Sequence, residues 1–283
     1  MGQIMIVKDK KEKDLIHPTV VIHPGAEIDE GVEIGPYSII GKDVKISKGT
    51  VISSHVTIDG WTSIGPNCRI YQFTTIGTPP QDIRYKGEKT EVIIGSNNEI
   101  REYITVHRAT TKANGKTVIG DNNFLMAYVH IAHDCKIGNN VIMANVATLA
   151  GHVHIEDYAI IGGLVAIHQF VKIGAYSIIG GASAITHDVP PYVMAVGNRA
   201  RLYGLNKVGL RRQGFTREEM DSLKKAYNML FRSSLTLKEA IERVEDELKG
   251  SGHVMRLTEF IKGSKRGITR ERGRRAEEDE KES

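Results

Sequence analysis

The stretch from Ile16 to Ile46, IHPTVVIHPGAEIDEGVEIGPYSIIGKDVKI, decides the fold. Isoleucine stands at 16, 22, 28, 34, 40 and 46, and the same spacing continues through 52, 58, 64, 70 and 76. The register resumes at Ile94, Ile100 and Val106. It resumes again, one residue out of phase, at Ile119, Leu125, Ile131, Ile137, Met143, Leu149, Ile155, Ile161, Ile167, Ile173, Ile179 and Ile185, so that 26 positions fit an apolar period of six. An amphipathic helix repeats at about 3.6 residues and a half-buried strand at about 2, so neither produces this spacing. Gly often follows the periodic residue, as in Ile34-Gly35, Ile64-Gly65 and Ile173-Gly174. The pattern predicts short strands with Ile pointing inward, separated by tight turns in which Gly, Asn or Asp accepts the unusual dihedrals. This is the hexapeptide signature of a parallel β-helix. Three hexads close one coil, the 26 positions make eight to nine coils, and residues one coil apart stack at ~4.8 Å.

Two polar segments interrupt the register, 77–93 and 107–118, and read as loops thrown out from a solenoid spanning 15–191. Insertions on such a scaffold often carry function. The register ends near Asp188-Val189-Pro190-Pro191, and helical patterning replaces it. Thr216-Arg217-Glu218-Glu219 and Thr236-Leu237-Lys238-Glu239 are capping boxes. Each is followed by apolar residues at helical spacing, and Val254 to Ile261 adds a third helix. Residues 192–270 therefore form a small α-helical C-terminal domain. The stretch 271–283 lacks core residues and reads as a disordered tail.

Composition narrows the class. The net charge is +4 over 283 residues, which gives no case for a nucleic-acid partner. That charge is uneven, because residues 192–270 carry 17 basic and nine acidic side chains, net +8. A basic helical domain suggests an acidic partner or a phosphorylated ligand. Two cysteines, Cys68 and Cys135, exclude a disulfide framework. No apolar run approaches the ~20 residues of a membrane span, and the start of the chain lacks the apolar core of a signal peptide. The expected compartment is the cytoplasm. A hexapeptide solenoid usually trimerises, and clefts between subunits are then the natural sites.

Among eleven histidines, five fall in one window: His130, His133, His152, His154 and His168. Coil stacking puts His133, Gly151/His152 and His168/Gln169 on one climbing edge, with His130 and His154 fitting less well. A polar ladder on an apolar repeat is costly unless solvated or functional. His133 is the candidate base, with Asp134 adjoining it to fix its tautomer. Gly151 offers a backbone N–H to a developing oxyanion. Base plus oxyanion donor is acyl-transfer equipment. The competing reading is a zinc site of three interfacial histidines, as in a γ-type carbonic anhydrase. No nucleophilic Cys, P-loop or Rossmann pattern stands in its required context.

The ordered segments HIAHDC (130–135), AGHV (150–153), HQF (168–170), DVPPYV (188–193) and GLNKVGLRRQGF (204–215) resemble the UDP-N-acetylglucosamine O-acyltransferase family across nearly all of residues 15–270. The resemblance implies a left-handed parallel β-helix, a homotrimer with sites between subunits, and the first step of lipid A biosynthesis. The donor it implies is a 3-hydroxyacyl chain on acyl carrier protein, and the acceptor is the 3-position of a UDP-linked aminosugar, with no metal and no diffusible cofactor. By resemblance His133 is the general base, Asp134 orients it, and Gly151 is the oxyanion donor. His130, His152, His168 and Gln169 surround the sugar nucleotide and donor. Gln81, Asp82 and Arg84 contact the nucleotide sugar from the first loop, while Asn206 and Arg212 bind the nucleotide. Gly181 limits acyl length, and its small size implies an open groove and a long chain. Arg84 replaces a common Lys, and Val208 a common acidic residue near the uridine. The alternative within the class is another hexapeptide acyltransferase, such as the later N-acyltransferase, whose N-terminal uridine-binding domain has no counterpart here.

Overall fold

A computed structural model describes residues 15–271. The start of the chain, expected to carry no signal peptide, and the tail beyond Glu271 lie outside the described residues. The chain divides into two compact units between Cys135 and Lys136. Hexads run through both, and the second unit takes the last coils together with the helices.

In the first unit the strands are mostly two residues long and stack into three parallel sheets. One runs through Val21–Ile22, Ile39–Ile40, Thr57–Ile58, Thr75–Thr78, Thr105–His107 and His130–Ile131. Partners lie 18 residues apart, as in Ile39 with Thr57. The offset grows to 30 for Thr75 with Thr105 and to 25 for Thr105 with His130. The hexad residues still pair across each insertion, Ile76 with Val106 and Val106 with Ile131, with one shift of register between Ile76 and Thr78. The strands Thr75–Thr78, Glu91–Ile94, Thr105–His107 and Lys116–Ile119 take the ends of the expected loops, which narrow to 79–90 and 108–115.

Every hexad residue from Ile34 to Ile185 is buried, none above 2% exposure. Only the first coil is open: Ile16 and Ile22 are exposed and Ile28 is half-buried. Two strand residues per side cannot cover a core by themselves, so the position two before Ile also points inward. Val32, Val44, Val56 and Cys68 fill it in some coils. Buried hydroxyls fill it in others and satisfy corner backbone groups. Thr50 donates to the Gly65 carbonyl and accepts from the Cys68 N–H.

The turns correct the expectation. Left-handed corners are occupied not only by Asn and Asp but by Tyr37, His55, Phe73, Tyr103 and Tyr128. Their rings form a continuous column with centroid spacings of 5.1, 5.1, 5.0 and 4.8 Å. The glycines after Ile serve another purpose, because most have ordinary φ. A Cβ on Gly35 would come within 2.8 Å of the Ser53 backbone, and one on Gly174 within 2.3 Å of Pro191 N. Those glycines allow adjacent coils to approach.

In the second unit three sheets continue the same pattern, for example Thr148–Leu149, Ala166–Ile167 and Ala184–Ile185. The parallel ladder goes one strand further than the hexads, to Val193–Val196. It then closes with the antiparallel strand Arg201–Leu205. Helices follow: α1 (Lys207–Arg212), α2 (Arg217–Phe231), α3 (Leu237–Glu247) and α4 (Gly252–Lys262). Both capping boxes form, with Glu219 and Glu239 closing back on Thr216 and Thr236. Asp188, at the expected end of the solenoid, is buried and pins the segment after α4. Its carboxylate accepts from Lys172 N–H and the Ser264 hydroxyl, and its backbone pairs with Gly267 and Thr269. Glu271, the first residue of the expected tail, accepts from Tyr227 and Arg232.

Candidate functional site

In the first unit Asp134 joins His133 to the second insertion. Asp134 is a left-handed corner at φ 61°, and its N–H donates to Thr117 Oγ1 at 2.9 Å. That corner turns its carboxylate inward, where the side chain is 0% exposed. Oδ2 lies 2.8 Å from His133 Nδ1 and also accepts from the Thr110 hydroxyl at 2.7 Å and the Thr110 N–H at 3.1 Å. A carboxylate in this position favours the imidazole tautomer with the proton on Nδ1 and the lone pair on Nε2. The expected His133–Asp134 pair is therefore present.

His130 is part of the same cluster. Its Nδ1 lies 2.7 Å from Thr105 Oγ1, one coil earlier, and His107 meets it edge-on at 5.0 Å. Burial holds the His107 imidazolium down to about 4, with His130 and His133 adding repulsion. His130 is also lowered, by burial first and then by His133. Three neighbouring rings in a partly dry cluster cannot all carry charge, so His107 is neutral at physiological pH.

The two insertions hold each other. Asp82, whose side chain is 8% exposed, accepts from Arg84 Nε and Nη2 at 3.1 and 3.2 Å and from Lys112 Nζ at 2.9 Å. The Arg84 hydrogen bonds lead in holding the Asp82 carboxyl well below the usual carboxylate range. Arg84 is thereby aimed by Asp82, while Gln81 is exposed on the same loop. Arg108 donates to the Gly77 carbonyl and the Tyr85 hydroxyl, and its guanidinium lies over the Trp61 ring at 5.6 Å.

The second unit holds the other expected residues. Gly151 and His152 form a corner one coil before His168, Gln169 and Phe170. The Phe170 N–H donates to the Gly151 carbonyl, and the His152 and Phe170 rings stack at 4.6 Å. His168 is exposed, and Gln169 is half-buried. His154 lies on another sheet, between Lys136 and Lys172, and burial lowers its basicity. Gly181 is exposed, and a Cβ there would meet only the Gly163 backbone, at 3.3 Å. Two successive coils thus present bare backbone outward. Asn206 is the N-cap of α1. Its Oδ1 accepts from Gly209 N–H and its Nδ2 donates to the Tyr176 carbonyl, so both ends of the amide have structural work. Arg212 and Val208 are exposed on the same short helix.

Thr105, His107, Arg108, Thr110 and Lys112 were not among the expected site residues. For Thr105, His107 and Arg108 the sequence holds a usable signal. Removing the second insertion from the count aligns Thr105 with His130, which places 105–108 one coil from 130–133.

Known proteins add the family. A model described as UDP N-acetylglucosamine O-acyltransferase, domain 2, matches residues 188–269, and one for bacterial transferase hexapeptide (six repeats) matches 116–151. The acyl-[acyl-carrier-protein]–UDP-N-acetylglucosamine O-acyltransferase of Thermodesulfovibrio yellowstonii is 64% identical over 90% of this chain and 99% of its own. Its namesake from Syntrophobacter fumaroxidans is 50% identical over the same shares. The solved structure of LpxA from Acinetobacter baumannii superposes with a TM-score of 0.89 at 48% identity, covering 91% of this chain and all of that one. The fold is accordingly a left-handed parallel β-helix of hexapeptide repeats followed by a small α-helical C-terminal part. On these matches the chain belongs to the UDP-N-acetylglucosamine O-acyltransferase family.

Proposed function

We propose that the protein transfers a 3-hydroxyacyl chain from acyl carrier protein to the 3-position of UDP-N-acetylglucosamine, the first step of lipid A biosynthesis, with His133 as general base. The observation that carries the role of His133 is its 2.8 Å contact with the dry Asp134 carboxylate. Family membership supports the substrates.

In the reaction, His133 Nε2 takes the proton of the sugar 3-hydroxyl as that oxygen attacks the thioester carbonyl. The carbon–oxygen bond forms, and the carbonyl electrons move onto oxygen. The Gly151 N–H stabilises that oxyanion. Collapse breaks the carbon–sulfur bond, and the imidazolium returns its proton to the departing thiolate. Asp134 stays ionised throughout and stabilises the charged ring. His130, His152, His168, Gln169 and the Gln81–Arg84 loop bind the substrates, Asn206 and Arg212 the nucleotide. Bare backbone at Gly163 and Gly181 supports a long acyl chain. The net positive charge of residues 192–270 suits a strongly acidic carrier protein. We place the reaction in the cytoplasm and in a homotrimer. Among the described residues no helix is long and apolar enough to cross a membrane.

The test is incubation of purified protein with UDP-N-acetylglucosamine and a length series of 3-hydroxyacyl carrier proteins, read by mass spectrometry. The 3-amino sugar nucleotide runs in parallel, and light scattering reports the oligomer. A product that His133→Ala reduces by about 10³-fold is expected. No product with either acceptor overturns the reading and sends the question to zinc content and carbon dioxide hydration.

A further inference from the structure

We propose that the insertion 108–115 is a positioning strap, in which Thr110 sets the Asp134 carboxylate that orients His133 and Lys112 sets the Asp82 loop. The inference rests on the reading of His133 as base and of the Asp82 loop as part of the sugar-nucleotide site.

Three alternate residues of the insertion reach three different anchors. Arg108 holds the first insertion through the Gly77 carbonyl and the Tyr85 hydroxyl, at 2.7 and 3.0 Å. Thr110, 4% exposed, donates twice to one oxygen of Asp134, the oxygen that also faces His133 Nδ1. Lys112 Nζ closes on Asp82 at 2.9 Å. The Lys112 N–H leans on the Thr110 hydroxyl at 3.4 Å, so the two contacts share a backbone turn.

The chemistry at Asp134 gives Thr110 more than a packing role. A carboxylate can rotate about its Cβ–Cγ bond, and His133 needs one oxygen held in the ring plane. Two donors from one residue, one of them backbone, fix that rotation. Thr117 fixes the corner from the other side by accepting the Asp134 N–H. The hydroxyl of Thr110 also draws charge from Oδ2, which tempers how strongly the carboxylate holds an imidazolium. A base that must give its proton back to the leaving thiolate benefits from that limit. Lys112 acts on a different variable. With Arg84 it neutralises Asp82 and ties the exposed loop 79–90 to the strap, so the nucleotide-sugar contacts of that loop are preset before substrate arrives.

The two residues therefore predict a split in the kinetics. Thr110→Val keeps the shape and the backbone donor but removes the hydroxyl. It is expected to lower kcat by about 10- to 100-fold with KM for the nucleotide sugar nearly unchanged. Thr110→Ser restores the hydroxyl and should recover most of kcat. Lys112→Met is expected to raise that KM by at least about threefold with kcat kept. Circular dichroism and melting curves confirm that each variant is folded, and His133→Ala is run beside them. If His133→Ala retains activity, the reading of the base is wrong and the role of Thr110 falls with it. If His133→Ala is inactive while Thr110→Val matches the native enzyme, or Thr110→Ser is as slow as Thr110→Val, the strap is overturned alone. Should Thr110→Val not fold, Lys112→Met decides, since its side chain is well exposed; an unchanged KM overturns the proposal.

Discussion

The regular coils and the two insertions of the first unit are held by opposite means. A coil rests on repetition: buried Ile above buried Ile, parallel ladders, and corner rings about 5 Å apart. The insertions contribute little core. Ile83, at the tip of the first, is fully exposed. Their order comes from single polar contacts at Asp82, Arg108, Thr110 and Lys112. Repetition spreads stability over many equivalent residues, whereas the insertions depend on a few polar residues that nothing duplicates. Stability and turnover should therefore separate cleanly between the two regions.

The largest expected effect on stability lies in the coils. Ile100 is 0% exposed between neighbouring coils, and Ile100→Ala removes three buried carbons. A loss of about 2–5 kcal/mol in urea unfolding is expected, with kcat per folded molecule close to native. A large fall in kcat at full folding would show that the coil is not merely a support.

Next in size is a pH effect that belongs to the cluster rather than the coil. His107 titrates at about 4 in the folded protein against 6.5 for the ordinary side chain, because it is buried. A depressed folded value means that the unfolded chain binds the proton more readily. The associated stability is present above about pH 6.5 and is lost as the pH falls toward 4, by up to about 3 kcal/mol. His107→Gln should flatten unfolding free energies measured at pH 7, 5.5 and 4.5, although His130 continues to contribute in the same direction. An unchanged slope would mean that His107 is not what the acid limb reports.

Asp82→Asn should act in the contrary sense to Ile100→Ala. The insertion has little core to lose, so the melting temperature stays near native. The pairs to Arg84 and Lys112 weaken, and KM for the nucleotide sugar rises by about threefold to tenfold. A melting temperature that drops as far as for Ile100→Ala would break the contrast between the two regions.

How much of this was legible in the sequence follows the same division. Hexads announce themselves because each buried Ile repeats, and two capping boxes announce α2 and α3 because their logic is local. Helix α1 carries no such box, because the residue three after its cap Asn206 is Gly209, which has no side chain to close back. His133 and Asp134 are neighbours in sequence, so their contact could be anticipated. Thr110 and Lys112 could not, since their partners lie 24 and 30 residues away across an insertion of irregular length. At Gly35 and Gly174 the turn expectation and the structure part for a physical reason. A sequence shows that a residue lacks a side chain, but not whether dihedral freedom or the approach of the next coil requires it. At Gly35 and Gly174 it is the approach.

The corner column offers the smallest and most discriminating test. Tyr103 sits at φ 59° with its ring 5.0 Å from Phe73 and 4.8 Å from Tyr128. Left-handed backbone costs a non-glycine residue about 1–2 kcal/mol, and stacked aromatic rings return about 0.5–1.5 kcal/mol. If the column offsets the strain, Tyr103→Ala keeps the strain and loses the stack, for a net loss of about 1 kcal/mol. Tyr103→Gly loses the stack and the strain together. Its extra chain entropy, about 0.5–1 kcal/mol, is smaller than or comparable to the strain released. Gly should then be at least as stable as Ala at this position, the reverse of their order inside an ordinary strand. Urea unfolding of the two variants decides it. An Ala variant clearly more stable than Gly would mean that the corner carries no strain for the rings to offset, and a Tyr103→Ala variant as stable as the native protein would mean that the aromatic column has no part in holding the coils.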